Sequence, residues 1–159
     1  MGYYVYLPSV FVYNDLSMNK FIDSYSTHYG DPKTDNWNGV YKYENTGNYL
    51  DKYPVGVAVM ALPFFLVAHA GTLILSLHSG VAPNGYTDPL YHAAQAFSGL
   101  FYGLLGLVIL KKLLDKYFSA KVVYLTIILI TFGTNLFHYF TYDAVFSHAY
   151  SFFLFTLFL

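Results

Sequence analysis

The sequence predicts an all-α polytopic membrane protein, and three observations carry that expectation. The 159-residue chain is 56% hydrophobic, 21% aromatic and only 11% charged, with a mean hydropathy of +0.41; soluble domains average about 25% charged residues. Its charge is segregated, most of it lying before Tyr53 or in the cluster from Lys111 to Lys121. Uncharged apolar stretches of bilayer-spanning length run between and after those clusters. The net charge of −1 and the absence of arginine leave no electrostatic footprint for nucleic acid. Cysteine is absent, which excludes disulfides and gives no reading of the redox compartment.

Residues 1–53 form a polar, aromatic-rich segment. Tyr3, Tyr4, Tyr6, Leu7, Val10, Phe11 and Tyr13 suit an amphipathic helix lying in the membrane interface, where tyrosine is enriched. From Asn14 to Lys52 the content of Asn, Asp, Gly and Tyr predicts an irregular loop, with Asn45-Thr46-Gly47-Asn48 as a turn. Val55–Leu77 is uncharged and long enough to span, with Pro63 and His69 inside it. Residues 78–92 form a short loop without Lys or Arg. Residues 93–110 make a spanning helix whose Gly99, Gly103 and Gly106 offer a small-residue face for close helix approach. Residues 111–121 are a basic turn, 122–138 the next span, 139–147 a second short loop, and 148–159 the start of a further span. No basic and apolar leader pattern stands at the start, and the apolar run after Asp143 is shorter than the ~20 residues a span needs. The chain is therefore expected to be a piece of a longer polytopic protein.

Orientation follows from the lysines. The positive-inside rule places the Lys111–Lys121 turn in the cytoplasm, so the loops at 78–92 and 139–147 face outward. Residues 1–53, with Lys20, Lys33, Lys42 and Lys52, are cytoplasmic if Val55–Leu77 spans. They are outside if that run is an interfacial or re-entrant, proline-broken hairpin.

Asp143 is the only formal charge between Lys121 and the last residue, Leu159. A carboxylate at the centre of a lipid-facing helix costs roughly 2.5–3.5 kcal/mol. Here Asn135, His138, Thr141, Tyr142, Ser147 and His148 surround it in sequence, which predicts a polar turn at the membrane surface. One alternative is that Asp143 merely caps the helix that follows. His138 and His148 each stand five residues from Asp143, about 140° away on a continuous helix, so they share its face only if the backbone turns. The His/Asp spacing matches no metal-ligand motif, and no cofactor is expected, although such a cluster is chemically able to take a divalent ion. The bland reading of Lys52 is an interfacial lysine that snorkels to water. Asp15 and Asp23 read as solvated loop residues.

Three segments together resemble a known family. They are Gly2-Tyr3-Tyr4-Val5-Tyr6-Leu7-Pro8-Ser9, then Asp51-Lys52-Tyr53-Pro54-Val55-Gly56, then Gly133-Thr134-Asn135 through Tyr142-Asp143 to Ser147-His148. In this order they are similar to the N-terminal part of GT-C-fold membrane glycosyltransferases, the bacterial enzymes related to aminoarabinose and protein O-mannosyl transferases. The resemblance implies a GT-C-like helical bundle with an extracytoplasmic loop containing interfacial helices, in a bacterial cytoplasmic membrane. It implies an inverting transfer of sugar from a polyprenyl-phosphate donor to a lipid, glycan or protein acceptor. It places residues 1–53 outside and makes 54–77 the interfacial or re-entrant element. Lys52 and Tyr53 would face the donor phosphate. Asp143 would be a supporting or acceptor-positioning carboxylate, with His138, His148 and Tyr142 accessory. The family's primary base is expected a few residues before Tyr3, a position this chain does not contain, which implies that the chain alone is inactive.

Two other functions compete. A transporter or channel subunit would place Asp143 and the histidines along a polar path through a bundle. A membrane assembly module would use the Gly99 and Gly103 face to join copies of the chain.

Overall fold

Apolar residues of high helix propensity fill the stretch after Pro54, and they form one helix. A computed structural model describes residues 2–30, 36, 37 and 39–159 of the chain. It divides into two compact units, Met1–Ala94 and Gln95–Leu159. In the first, helix α3 (Gly56–Ser79) runs for 24 residues without interruption through Pro63. Pro63 forfeits one backbone hydrogen bond but does not end the helix. Of the forms expected for 54–77, the proline-broken hairpin is absent and an unbroken apolar helix is present, which leaves residues 1–53 outside when it lies in the interface rather than spanning. Gly80, in the left-handed region at φ 71°, ends it by donating its amide to the Ser76 carbonyl at 2.8 Å.

Helix α1 (Gly2–Phe11) buries one face in the first unit. Tyr4 and Leu7 pack on Ala58, Ala61, Phe65 and Ala68 of α3, together with Tyr91. Val5 faces a second cluster with Met18, Phe21, Ile22, Val40, Tyr49 and Tyr86. Of the tyrosines expected as an interfacial belt, Tyr4 is buried and Tyr3, Tyr6 and Tyr13 are half-buried. The phenols of Tyr4, Tyr6 and Tyr13 find partners, as polar groups out of water must. Tyr4 donates to the Gly85 carbonyl at 2.6 Å, and Tyr13 reaches the Ser24 hydroxyl at 2.9 Å.

The segment Asn14–Lys52, expected to be irregular, holds regular structure. Helix α2 (Asn19–Tyr29) is followed by β1 (Asn36–Trp37), β2 (Val40–Lys42) and β3 (Tyr49–Asp51) in one antiparallel sheet of order β1-β2-β3. Val40 pairs with Asp51 and Lys42 with Tyr49. The expected turn at Asn45–Asn48 closes this hairpin, with Gly47 at φ 70° and its amide on the Tyr43 carbonyl at 2.8 Å. The small sheet departs from an all-α fold. Lys33 lies outside the described residues.

Asp15 is not merely a solvated loop residue. One carboxylate oxygen accepts the Ser17 amide at 2.9 Å and the Ser17 hydroxyl, and the other accepts the Lys20 amide at 2.9 Å. Asp15 thus satisfies amides at the start of α2. Burial raises its pKa, but these hydrogen bonds and the Lys20 charge together hold it below the ordinary aspartate value. A depressed folded-state pKa gives stability that is present above the unfolded value of about 3.9 and lost as pH falls through the folded one. Asp15→Ala is expected to cost about 1 kcal/mol at neutral pH. Thermal unfolding followed by circular dichroism should show that difference shrinking in acid; a constant difference from pH 7 to pH 2 would contradict the capping role.

Helix α4 (Pro89–Leu114) is 26 residues long. Its start is set by Asp88, whose side chain accepts the Leu90 amide at 2.8 Å, and by proline at the first helical position. Leu90, Tyr91 and Ala94 belong to the first unit; from Gln95 onward α4 belongs to the second. That unit also holds α5 (Ala120–Gly133), α6 (Leu136–Thr141) and α7 (Ser147–Phe158), and α4 packs on α6 and α7. The small-residue face of α4 is filled from within the unit. A Cβ at Gly99 would meet the Ala144 carbonyl oxygen at 2.1 Å, one at Gly103 the Phe140 ring at 2.5 Å, and one at Gly106 the Phe152 ring at 2.8 Å. That face is therefore covered by the chain's own residues rather than open to another copy. Next to it the buried Ser98 hydroxyl bonds the Tyr150 hydroxyl.

α3 and α4 are each long and apolar enough to cross a membrane. The expected span at 122–138 is divided: α5 has 14 residues and ends at Gly133, and α6 begins at Leu136. With 14 residues in α5 and 12 in α7, both fall short of the ~20 residues that a span requires.

Candidate functional site

Two polar clusters gather the residues that the sequence singled out, one in each unit. In the first unit the Gly2–Tyr6 and Asp51–Tyr53 segments, far apart in sequence, meet. The Tyr3 and Tyr53 ring centroids are 4.6 Å apart, and the Tyr6 hydroxyl donates to the Tyr53 carbonyl at 2.7 Å. Gly2 lies so close beneath the Tyr53 ring that a Cβ there would fall 1.8 Å from a ring carbon. Tyr53 in turn donates its amide to one oxygen of Asp51 at 2.9 Å.

The other Asp51 oxygen, Oδ2, is buried and has no hydrogen-bond partner among the described residues. Burial raises the pKa of this carboxyl above the ordinary aspartate value, outweighing the lowering by the Tyr53 amide and the Lys52 charge. Lys52 is exposed, its amide held on the Gly39 carbonyl at 2.9 Å and its ammonium 5.0 Å from the centre of the Tyr53 ring. Among the described residues it has no carboxylate within ion-pair reach. A cation, an aromatic ring and a carboxylate with a free oxygen thus stand just before the start of apolar α3.

In the second unit α6 ends in a turn. The His138 carbonyl accepts the amides of both Tyr142 and Asp143, at 2.9 and 3.1 Å, and the chain reverses before α7. This folds Asp143 back onto His138, with Nε2 and Oδ2 2.9 Å apart. An ionised carboxylate only accepts, so His138 Nε2 carries the hydrogen. His138 also stacks on Tyr142, and His148 stacks on Tyr139 with ring centroids 4.0 Å apart. The residue at the N-cap of α7 is Phe146, whose own side chain makes no capping hydrogen bond. Asp143 is thus a partner of His138 and does not stand at the N-cap.

Every site residue named from sequence falls in one of these clusters: Lys52 and Tyr53 in the first, Asp143, His138, His148 and Tyr142 in the second. Sequence reasoning did not single out Asp51 or Tyr139 as site residues, although it marked Gly99 as part of a small-residue face. Asp51 directly precedes Lys52, and that adjacency was its one available signal. Among the described residues no group of three or more His, Cys, Asp or Glu is placed to hold a metal ion. Comparison with known protein-family models, curated proteins and solved structures returns no match to this chain.

Proposed function

We propose that the chain is part of an integral-membrane glycosyltransferase that takes sugar from a polyprenyl-phosphate donor on the outer face of a bacterial cytoplasmic membrane. The observation that carries this reading is the Asp51–Lys52–Tyr53 cluster at the mouth of a 24-residue apolar helix. A polyprenyl phosphate is a long hydrocarbon with a phosphate at its head, and a lysine at the end of an apolar helix suits both parts. The sequence resemblance to the GT-C transferases points the same way.

In this reading an acceptor hydroxyl or amine attacks the anomeric carbon, the bond from that carbon to the phosphate oxygen breaks, and configuration inverts. Lys52 steadies the negative charge on the leaving phosphate. Asp51, with a raised pKa and an oxygen that has no partner among the described residues, is the described carboxylate best suited to take the acceptor's proton. Asp143 is already engaged by His138 and takes no proton in this scheme. The transporter alternative has less support, because the side chains of His138 and Asp143 are 54% and 40% exposed rather than enclosed between helices.

Sidedness tests the reading in a chain that has no native cysteine to remove. In intact cells Asp23→Cys and Phe146→Cys are each expected to react with a membrane-impermeant maleimide added outside. Labelling of position 23 only after the inner face is exposed would overturn the assignment.

A further inference from the structure

The α4–α5 turn concentrates charge of one sign. Lys111, Lys112, Lys116 and Lys121 share it with a single carboxylate, Asp115. Lys111 is engaged: its ammonium pairs with Asp115 at 2.7 Å and stands 5.1 Å from the centre of the Tyr124 ring. That pair cancels two charges and leaves Lys112, Lys116 and Lys121, all exposed and without a carboxylate in ion-pair reach among the described residues. Two large rings lie among them in the turn, Tyr117 at 73% and Phe118 at 56% exposure. Exposed aromatics beside unpaired ammonium groups, at the end of a 26-residue apolar helix, suit neither bulk water nor hydrocarbon. They suit the layer where acyl chains meet headgroups, in which aromatic rings and lysines are both enriched.

We propose that this turn binds the phosphate groups of anionic phospholipids, with Lys112, Lys116 and Lys121 as the cationic contacts and Tyr117 and Phe118 seated at the acyl boundary. Lysine rather than arginine fits such a partner, because a mobile point charge can follow headgroups that exchange, whereas a bidentate fork selects one fixed geometry. Each lysine near an anionic surface favours it by about 5-fold, so three together give an enrichment on the order of 100-fold at low salt. The proposal rests on α4 crossing a bilayer and is independent of any enzymatic activity.

The test uses the full chain carrying Ser119→Cys labelled with a bimane fluorophore and placed in lipid nanodiscs. The discs contain phosphatidylcholine and phosphatidylglycerol, with acyl-brominated molecules supplied in one lipid class or the other at equal mole fraction. Brominated phosphatidylglycerol is expected to quench at least about 5-fold more effectively than brominated phosphatidylcholine. The excess should fall in 0.5 M NaCl and vanish in the K112Q/K116Q/K121Q variant. The salt arm needs no substitution in the turn beyond the label site, so the result does not depend on the triple variant folding. Equal quenching by the two lipids overturns the proposal while leaving the membrane reading intact. Quenching by neither overturns the membrane reading and the proposal with it.

Discussion

Replacing Gly99 with valine is expected to destabilise the second unit by about 3 kcal/mol, the upper part of the overpacking range. The added Cβ would sit 2.1 Å from the Ala144 carbonyl oxygen and 2.8 Å from its carbonyl carbon. These are backbone atoms of a buried residue, and no rotamer change can withdraw them. A valine regains at most a few tenths of a kcal/mol in helix propensity over glycine, far too little to offset the clash. Because Ala144 directly follows Asp143, the strain falls on the turn that holds Asp143 against His138. Two measurements check this: thermal unfolding in detergent, and the nitrogen resonances of the His138 ring, which should change as the Asp143 contact is lost. Gly133→Ala is the control, since nothing lies within 4 Å of its added Cβ and its midpoint should barely move. Wild-type stability in the Gly99 variant would mean that the close approach of α4 to the turn does not exist.

The second large effect concerns the Asp51–Lys52 pair, within the proposed glycosyltransferase reading. Lys52→Glu is expected to reduce sugar transfer from a polyprenyl-phosphate donor by at least about 100-fold, since loss of one stabilising donor already costs that much and the new charge repels the leaving phosphate. Asp51→Asn should lower it by about 100- to 10,000-fold if Asp51 takes the acceptor's proton. The two differ in their pH signature. Wild-type activity should rise with pH through the elevated Asp51 pKa, and that limb should disappear in Asp51→Asn. Stability moves in the opposite direction. A folded-state pKa raised above the unfolded value gives a contribution that is present below about pH 3.9 and lost as pH rises through the folded value. Ionised Asp51 therefore weakens the fold at neutral pH, and the Asn variant should melt at the same temperature or a few degrees higher. Transfer assays in membrane vesicles containing the complete protein, with melting curves beside them, test both halves. An Asp51→Asn protein that retains full activity removes Asp51 from the chemistry.

The long elements were legible because their signal is local. The apolar run after Pro54 and the one ending at Lys111 appear as α3 and α4, within a few residues of the expected bounds. The Asn45–Asn48 turn was readable from glycine and asparagine alone. The region Asn14–Lys52 was not: α2 carries an apolar stripe at helical spacing (Phe21, Ile22, Tyr25) that the surrounding turn-forming residues masked, and the strands are only two or three residues long. Phe21, Ile22, Val40 and Tyr49 are held by a shared core with Val5 and Tyr86, which are distant in sequence. The split between α5 and α6 was missed because the expected span bridged the break signal Gly133-Thr134-Asn135 to reach the apolar Leu136 and Phe137.

The site divides in the same way. Charge pattern marked Asp143 and its polar neighbours as costly in a membrane and hence as candidates, a judgement that needs only the free energy of placing a charge in hydrocarbon. Lys52 and Tyr53 entered through the family resemblance alone. Which groups meet was decided by the tertiary structure. Only the turn after α6 brings His138 onto Asp143 across five residues that a straight helix would hold about 140° apart. Only the packing of α1 places Gly2 under the Tyr53 ring and joins the N-terminal segment to Asp51 and Lys52. Hydrophobic length is a property of consecutive residues and survives in the sequence. An unpaired carboxylate oxygen depends on what does not reach it, and only the folded chain determines that.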